Sequence, residues 1–181
     1  MRGIVFTEFL EMVESTWSFD MVDKVIADSK VPNGGAYTAV GSYDTAEIVA
    51  LLMALSQATE TKPAVLLESF GRYLFGRFAT LYPDFFKGVG STFEFLPRVD
   101  SYIHIEVRKL YPDAELPALK TEQLDQDTMN VVYRSPRCMS KLARGLIEGC
   151  LTHFKENHAI TEEDVGDGSG GEVKFTLRRA A

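Results

Sequence analysis

The apolar residues of this chain keep a helical spacing up to about residue 111 and then begin to alternate in places, and that change limits the folds open to it. Before it they recur every three or four positions, the period of a helix with one buried face. Phe6, Phe9, Leu10, Val13 and Trp17 mark a helix over 3–27, with a break near Ser15–Ser18. The segment VPNGGAY (31–37) is rich in turn formers. Asp44-Thr45-Ala46-Glu47 then has the form of a capping box, with Asp in the Ser/Thr role. Behind it Ile48, Leu51, Leu52 and Leu55 form an apolar stripe. Pro63 suits a helix start, where its missing N–H costs nothing. Val65, Leu66, Phe70, Leu74, Phe78 and Leu81 continue from it. A further helix is expected over about 91–111, with Leu96, Ile103, Val107 and Leu110 along one side and Pro112 ending it.

Beyond residue 111 the period becomes two in places. TMNVVYRS (128–135) sets Met129, Val131 and Tyr133 on one strand face, and EVKFTLRR (172–179) does the same with Val173, Phe175 and Leu177. GDGSGG (166–171) is a hairpin-type loop, and a helix over about 137–156 separates the two strands. There Met139, Leu142, Ala143, Leu146, Ile147, Cys150 and Phe154 face inward, Ser135 would be the N-cap and Pro136 the first helical residue. The expected fold is α+β: a helical N-terminal lobe, then a C-terminal lobe of antiparallel sheet with a long helix.

With 181 residues and 45% apolar content the chain can build one domain with a sizeable core. A net charge of -7 and no basic stretch argue against a nucleic-acid surface. Acidic residues interrupt the first fourteen positions, where a signal peptide would need its apolar run, and no window reaches the ~18 apolar residues of a membrane span. Two cysteines, Cys138 and Cys150, are too few for a disulfide framework and read as packing residues. A cytoplasmic protein is expected.

Candidate chemistry concentrates in five residues with the spacing H-x12-P-x15-Y-x-S-x-R: His104, Pro117, Tyr133, Ser135 and Arg137. His104 lies beside the apolar side of its helix. There a histidine is either a satisfied core residue or a metal ligand. As a ligand, its second nitrogen needs an acceptor from Asp100, Ser101 or a backbone carbonyl one turn earlier. His153 and His158, near the polar end of the last helix, read as surface residues. In an extended chain Tyr133, Ser135 and Arg137 would point to one side, converging a phenol, a hydroxyl and a guanidinium able to grip a carboxylate. One axial iron ligand and a carboxylate clamp suit a haem and its propionates.

Together these residues resemble the H-NOX family, the haem nitric oxide/oxygen-binding domains related to the sensor domain of soluble guanylate cyclase. The likeness runs through residues 1–181 as a single domain. It includes the MRGIVF opening, FGRYLFGRF (70–78) and GLIEG (145–149). It implies a haem b between a distal helical lobe, about 1–62, and a proximal α+β lobe, about 63–181. His104 would be the proximal iron ligand and Tyr133, Ser135 and Arg137 the propionate clamp. Pro117 would press on the porphyrin, and Asp44 is a candidate partner for Arg137. O2-binding relatives carry a distal tyrosine where this chain has Leu142, and polar supporters where it has Phe9 and Leu74. With Val5, Phe78 and Leu146 these would make an apolar pocket that binds NO and CO but not O2.

The family's switch is a loosened bond between iron and His104, followed by movement of its helix. No kinase or cyclase module is expected within these residues, so signalling would act in trans, on a histidine kinase or a cyclic-di-GMP enzyme. Some relatives hold a zinc ion near the C-terminus; after Cys150 only His153 and His158 could serve, and no structural zinc is expected. Two other readings are an enzyme, such as a haem peroxidase or small hydrolase, and a haem-free interaction module. The first lacks a polar distal acid–base group and any nucleophile motif. The second leaves His104 and the clamp without a purpose.

Overall fold

The computed structural model describes residues 1–180. The expected break in the first helix is real: α1 (Gly3–Thr16) closes at Trp17 and α2 (Phe19–Ser29) opens at Ser18. The Ser18 Oγ accepts from the Met21 N–H at 3.1 Å and so satisfies one of the N-terminal donors that a helix cannot pair itself. α3 (Thr45–Thr59) starts in the same way, with Asp44 Oδ1 accepting from the Ala46 N–H at 2.9 Å. Glu47 does not complete the capping box: its Oε2 accepts instead from the Tyr37 hydroxyl at 3.0 Å. α4 (Pro63–Leu81) begins at its proline.

The helix expected over 91–111 is three pieces. α5 (Thr92–Arg98) contains Pro97, which cannot donate to the preceding turn. A widened, π-helical turn follows at Val99–Ile103, then α6 (His104–Leu110). Leu110, expected on the buried side, is 74% exposed, because α6 ends with it. After β1 (Ala118–Gln123) and β2 (Thr128–Arg134) comes α7 (Ser140–His153), three residues later than expected. Cys138 takes the left-handed conformation (φ 52°), which holds the chain out of the helix. Ser135 is therefore not the N-cap; its Oγ accepts from the Arg137 N–H at 3.2 Å and fastens a turn. β3 (His158–Asp164) and β4 (Glu172–Arg179) complete a four-stranded antiparallel sheet in the order β1-β2-β4-β3.

One sheet face is apolar. The register sets Val131 opposite Phe175, Met129 opposite Leu177 and Tyr133 opposite Val173. These six pack with Ala143, Ile147 and Cys150 of α7 and with Phe75, Phe95 and Leu96. The other face is polar, with a shallow hollow of about 170 Å³ among Lys120, Glu122, Asn130, Val132, Arg134 and Lys174. A second core fills the helical half, from Phe6, Phe9 and Val13 through Leu51, Leu55 and Leu66 to Phe70 and Leu74.

α4 lines both cores, giving Phe70 and Leu74 to one and Phe75 to the other. It meets α7 backbone to backbone. A Cβ on Gly145 would lie 2.1 Å from the Glu68 carbonyl oxygen, and one on Gly71 would lie 2.5 Å from that of Leu142. Ion pairs rim this seam: Arg72 with Glu148 at 2.5 Å, and Glu68 with Lys141 and Arg144 at 3.5 and 3.7 Å. Among the described residues no helix is long and apolar enough to cross a membrane.

Candidate functional site

His104 is the first residue of α6, and its backbone N–H reaches back five residues to the Val99 carbonyl across the widened turn. Its side chain is 11% exposed. Nδ1 lies 2.9 Å from Asp100 Oδ1, so of the three acceptors open on sequence grounds the carboxylate is the one engaged. Among the described residues Nε2 has no hydrogen-bond partner. Burial pushes the His104 pKa down from its ordinary value, against the opposing pull of Asp100, and Arg108 adds to the lowering. A neutral imidazole with one nitrogen fixed and the other unshared is the form a metal ligand takes.

Arg137 lies off the strand, in the connection between β2 and α7, since β2 ends at Arg134. Tyr133, Ser135 and Arg137 therefore do not extend side by side along one strand face as their spacing suggested. Tyr133 points into the sheet core, 4% exposed, and its hydroxyl accepts from the Met139 N–H at 3.2 Å. Ser135 is buried and holds the Arg137 N–H. The two form the footing on which the guanidinium stands. Arg137 Nε donates to Thr45 Oγ1 at 3.1 Å, and Nη1 and Nη2 donate to the Glu115 carbonyl and carboxylate at 2.5 and 3.0 Å. Arg137 meets Thr45 and not its neighbour Asp44, whose Oδ1 caps α3.

Around this guanidinium is a cleft of about 280 Å³, lined by Met1, Arg2, Ser42–Thr45, Asp113–Glu115 and Arg137. It gathers four sources of positive potential: Arg137, Arg2, the Met1 ammonium and the N-terminus of α3. The ammonium donates to the Tyr43 carbonyl at 2.6 Å, and burial first, then Arg137, lowers its pKa. Arg2 stacks on the Tyr111 ring, 3.7 Å from its centroid, which holds the loop after α6 over the cleft. Pro117 ends that loop at the head of β1, a strand that packs beside α5 and the widened turn.

The six apolar candidates collect in one place. Phe9 and Leu74 are buried in the helical core, with Val5, Phe78, Leu142 and Leu146 packed against it. Phe9 is further fixed by an edge-on contact with Phe70, ring centroids 5.2 Å apart. His158, by contrast, is not on the surface. It is 8% exposed beside the Phe93 ring, and neither ring nitrogen has a partner. Of the two thiols, Cys150 is fully buried as expected, and burial pushes its pKa up to about 12. Cys138 is exposed, because its left-handed turn faces it outward.

These donors fit a haem. His104 offers an unshared nitrogen, Arg137 already grips a carboxylate, and a separate wall is wholly apolar. Thr45 and Glu115 were not foreseen; they stand 92 and 22 positions from Arg137, and no local pattern marks them. The model of the family described as Haem-NO-binding matches residues 2–162.

The chain belongs to the haem-NO-binding family.

Solved relatives share the fold throughout. The Fe(II) unliganded H-NOX protein from K. algicida is 35% identical, with a TM-score of 0.92, covering 100% of this chain and 97% of that one. The H-NOX from Shewanella woodyi in the Fe(II)CO state is 33% identical, with a TM-score of 0.85 and coverage of 99% and 95%. An S. oneidensis H-NOX in the Fe(II)NO state reaches a TM-score of 0.90 at 22% identity, a likeness of fold alone. Soluble guanylate cyclase 89Da of Drosophila melanogaster is 25% identical over 97% of this haem-NO-binding chain, which spans 27% of that protein's length.

Proposed function

We propose that this haem-NO-binding domain is a gas sensor that takes up haem b, binds NO and CO at ferrous iron, and excludes O2. It acts through binding, with no reaction of its own. When bound, the haem supplies an open iron position for a diatomic ligand. His104 would hold it through Nε2. Arg137, seated by Tyr133 and Ser135, would take a propionate in place of the Glu115 carboxylate, and Pro117, at the head of β1, would border the ring.

Gas choice follows from Val5, Phe9, Leu74, Phe78, Leu142 and Leu146. Bound O2 draws negative charge and needs a hydrogen-bond donor to persist, and none of these six side chains has one. NO binds ferrous iron strongly without such help. Were a ligand to loosen the hold of His104 on the haem, α6 and the widened turn would be free to shift relative to Arg137. A histidine kinase or a cyclic-di-GMP enzyme then reads the altered surface in trans. Nucleic acid and membrane are not partners, and the domain works in the cytoplasm. The carrying observation is the buried imidazole with one nitrogen fixed by Asp100 and the other unshared.

The visible spectrum of the reduced protein tests this. A Soret band unmoved by air, shifted by NO, and lost or dependent on added imidazole in His104→Ala is expected. A stable oxy spectrum would overturn the O2 exclusion, and a protein that takes up no haem would overturn the sensor itself.

A further inference from the structure

The turn before His104 is not an ordinary helix. Pro97 leaves the Phe93 carbonyl without its usual donor, and Ser101 Oγ donates to the Pro97 carbonyl at 2.7 Å. One turn on, His104 N–H bonds to Val99, five residues back. Wide turns of this kind are rare, cost energy and cluster at functional positions. Asp100 lies four residues before His104, on the same face as in any helix, and its carboxylate meets Nδ1 at 2.9 Å. Asp100 makes no ion pair with any lysine or arginine among the described residues, which leaves its charge directed at the imidazole. The His104 side chain is 11% exposed and that of Asp100 38%, so the contact is screened on the histidine side and wet on the other.

We propose that Asp100 is a positioning residue that fixes His104 as the Nδ1–H tautomer and, through its charge, sets how firmly Nε2 donates to iron. The inference rests on the haem reading above and deepens it. A carboxylate on the far nitrogen gives the imidazole partial imidazolate character and a stronger metal bond. In this chain, then, the release of His104 by NO works against Asp100, and the carboxylate sets the threshold of the switch.

The test is resonance Raman spectroscopy of the ferrous, unliganded, haem-loaded protein, reading the iron–histidine stretching band. Asp100→Asn keeps an acceptor but loses the charge, Asp100→Ala loses both, and Asp100→Glu restores the charge on a longer arm. The band is expected to fall from wild type to Asn to Ala and to recover toward wild type in Glu. Haem retention in Ala should weaken by ~10–100-fold, the usual effect of removing such a partner. ¹⁵N NMR of the haem-free chain gives a readout independent of iron: an Nδ1–H tautomer in wild type and an Nε2–H tautomer in Ala. Should Ala fail to fold, the near-isosteric Asn variant decides on the Raman band alone. A band at the same frequency in wild type and in the folded variants overturns the proposal while leaving the sensor reading intact. A wild type that takes up no haem overturns both.

Discussion

Arg137 gathers three distant parts of the chain on one side chain: the start of α3 through Thr45, the loop before β1 through Glu115, and its own turn through Ser135. Charge-assisted hydrogen bonds of this kind contribute about 1.5–3 kcal/mol each. Arg137→Ala should therefore weaken haem retention by about 2 kcal/mol, roughly 30-fold, measured as the rate of haem transfer to an acceptor globin. Arg137→Lys should recover only part of it, since an ammonium cannot hold a carboxylate in a fork. The two cysteines provide a second test at the same scale. Cys138 should be alkylated in the native protein and Cys150 only after unfolding, read by mass spectrometry. The raised pKa of Cys150 also sets a direction. Between the thiol's ordinary 9.0 and about 12 the unfolded chain releases a proton that the folded one keeps, so stability falls as pH rises through that window. Cys150→Ala should flatten that decline in melts between pH 8 and 10. The residues of the site were legible singly in the sequence, by type and spacing. Their contacts were not, because a guanidinium meets Thr45 only once α3 and the β2–α7 turn have been brought together by the fold.

The seam between α4 and α7 is set by glycine. Adding a methyl at Gly145 would force backbone apart from backbone, which no rotamer change can relieve. Gly145→Ala should cost about 1–3 kcal/mol or more and lower Tm by roughly 5 °C in a chain of this size. Gly76 supplies the control on the same helix. A Cβ there meets nothing within 4 Å, so Gly76→Ala should stabilise α4 by about 0.5–1 kcal/mol through reduced freedom of the unfolded chain. Elements with a full apolar face could be read from periodicity: α1 to α4 and the central strands β2 and β4. β1 and β3 could not. Each offers few inward apolar side chains, chiefly Leu119 and Ile160, among residues such as Lys120, Glu122, Glu162 and Glu163. They are the edges of the sheet, where charge is the usual guard against further pairing and erases the alternation that would reveal a strand. The widened turn is invisible for a different reason, since it is a change of backbone bonding with no composition of its own.

At the scale of the molecule, His158 at the start of β3 should erode stability on the acid side, alongside His104, whose pKa burial also lowers. Burial lowers the His158 pKa, so below about pH 6.5 the unfolded chain takes a proton that the folded one resists, and stability falls as pH falls. The charged groups acting on it are Glu156, Arg179 and Asp127. His158→Phe should flatten part of the loss between pH 7.5 and 5.5 in thermal melts. The larger consequence concerns α4, which forms a wall of both cores. A chain divided between Leu81 and Thr92 would leave its first part without Met139 and Leu142, and its second without Phe75. Neither fragment could close its own interior, yet the two mixed together should reassemble. In genealogical terms the lobes are not interchangeable parts: recombination between relatives can swap a loop or an edge strand here, but a crossover midway must carry a matched partner on the other side of the helix.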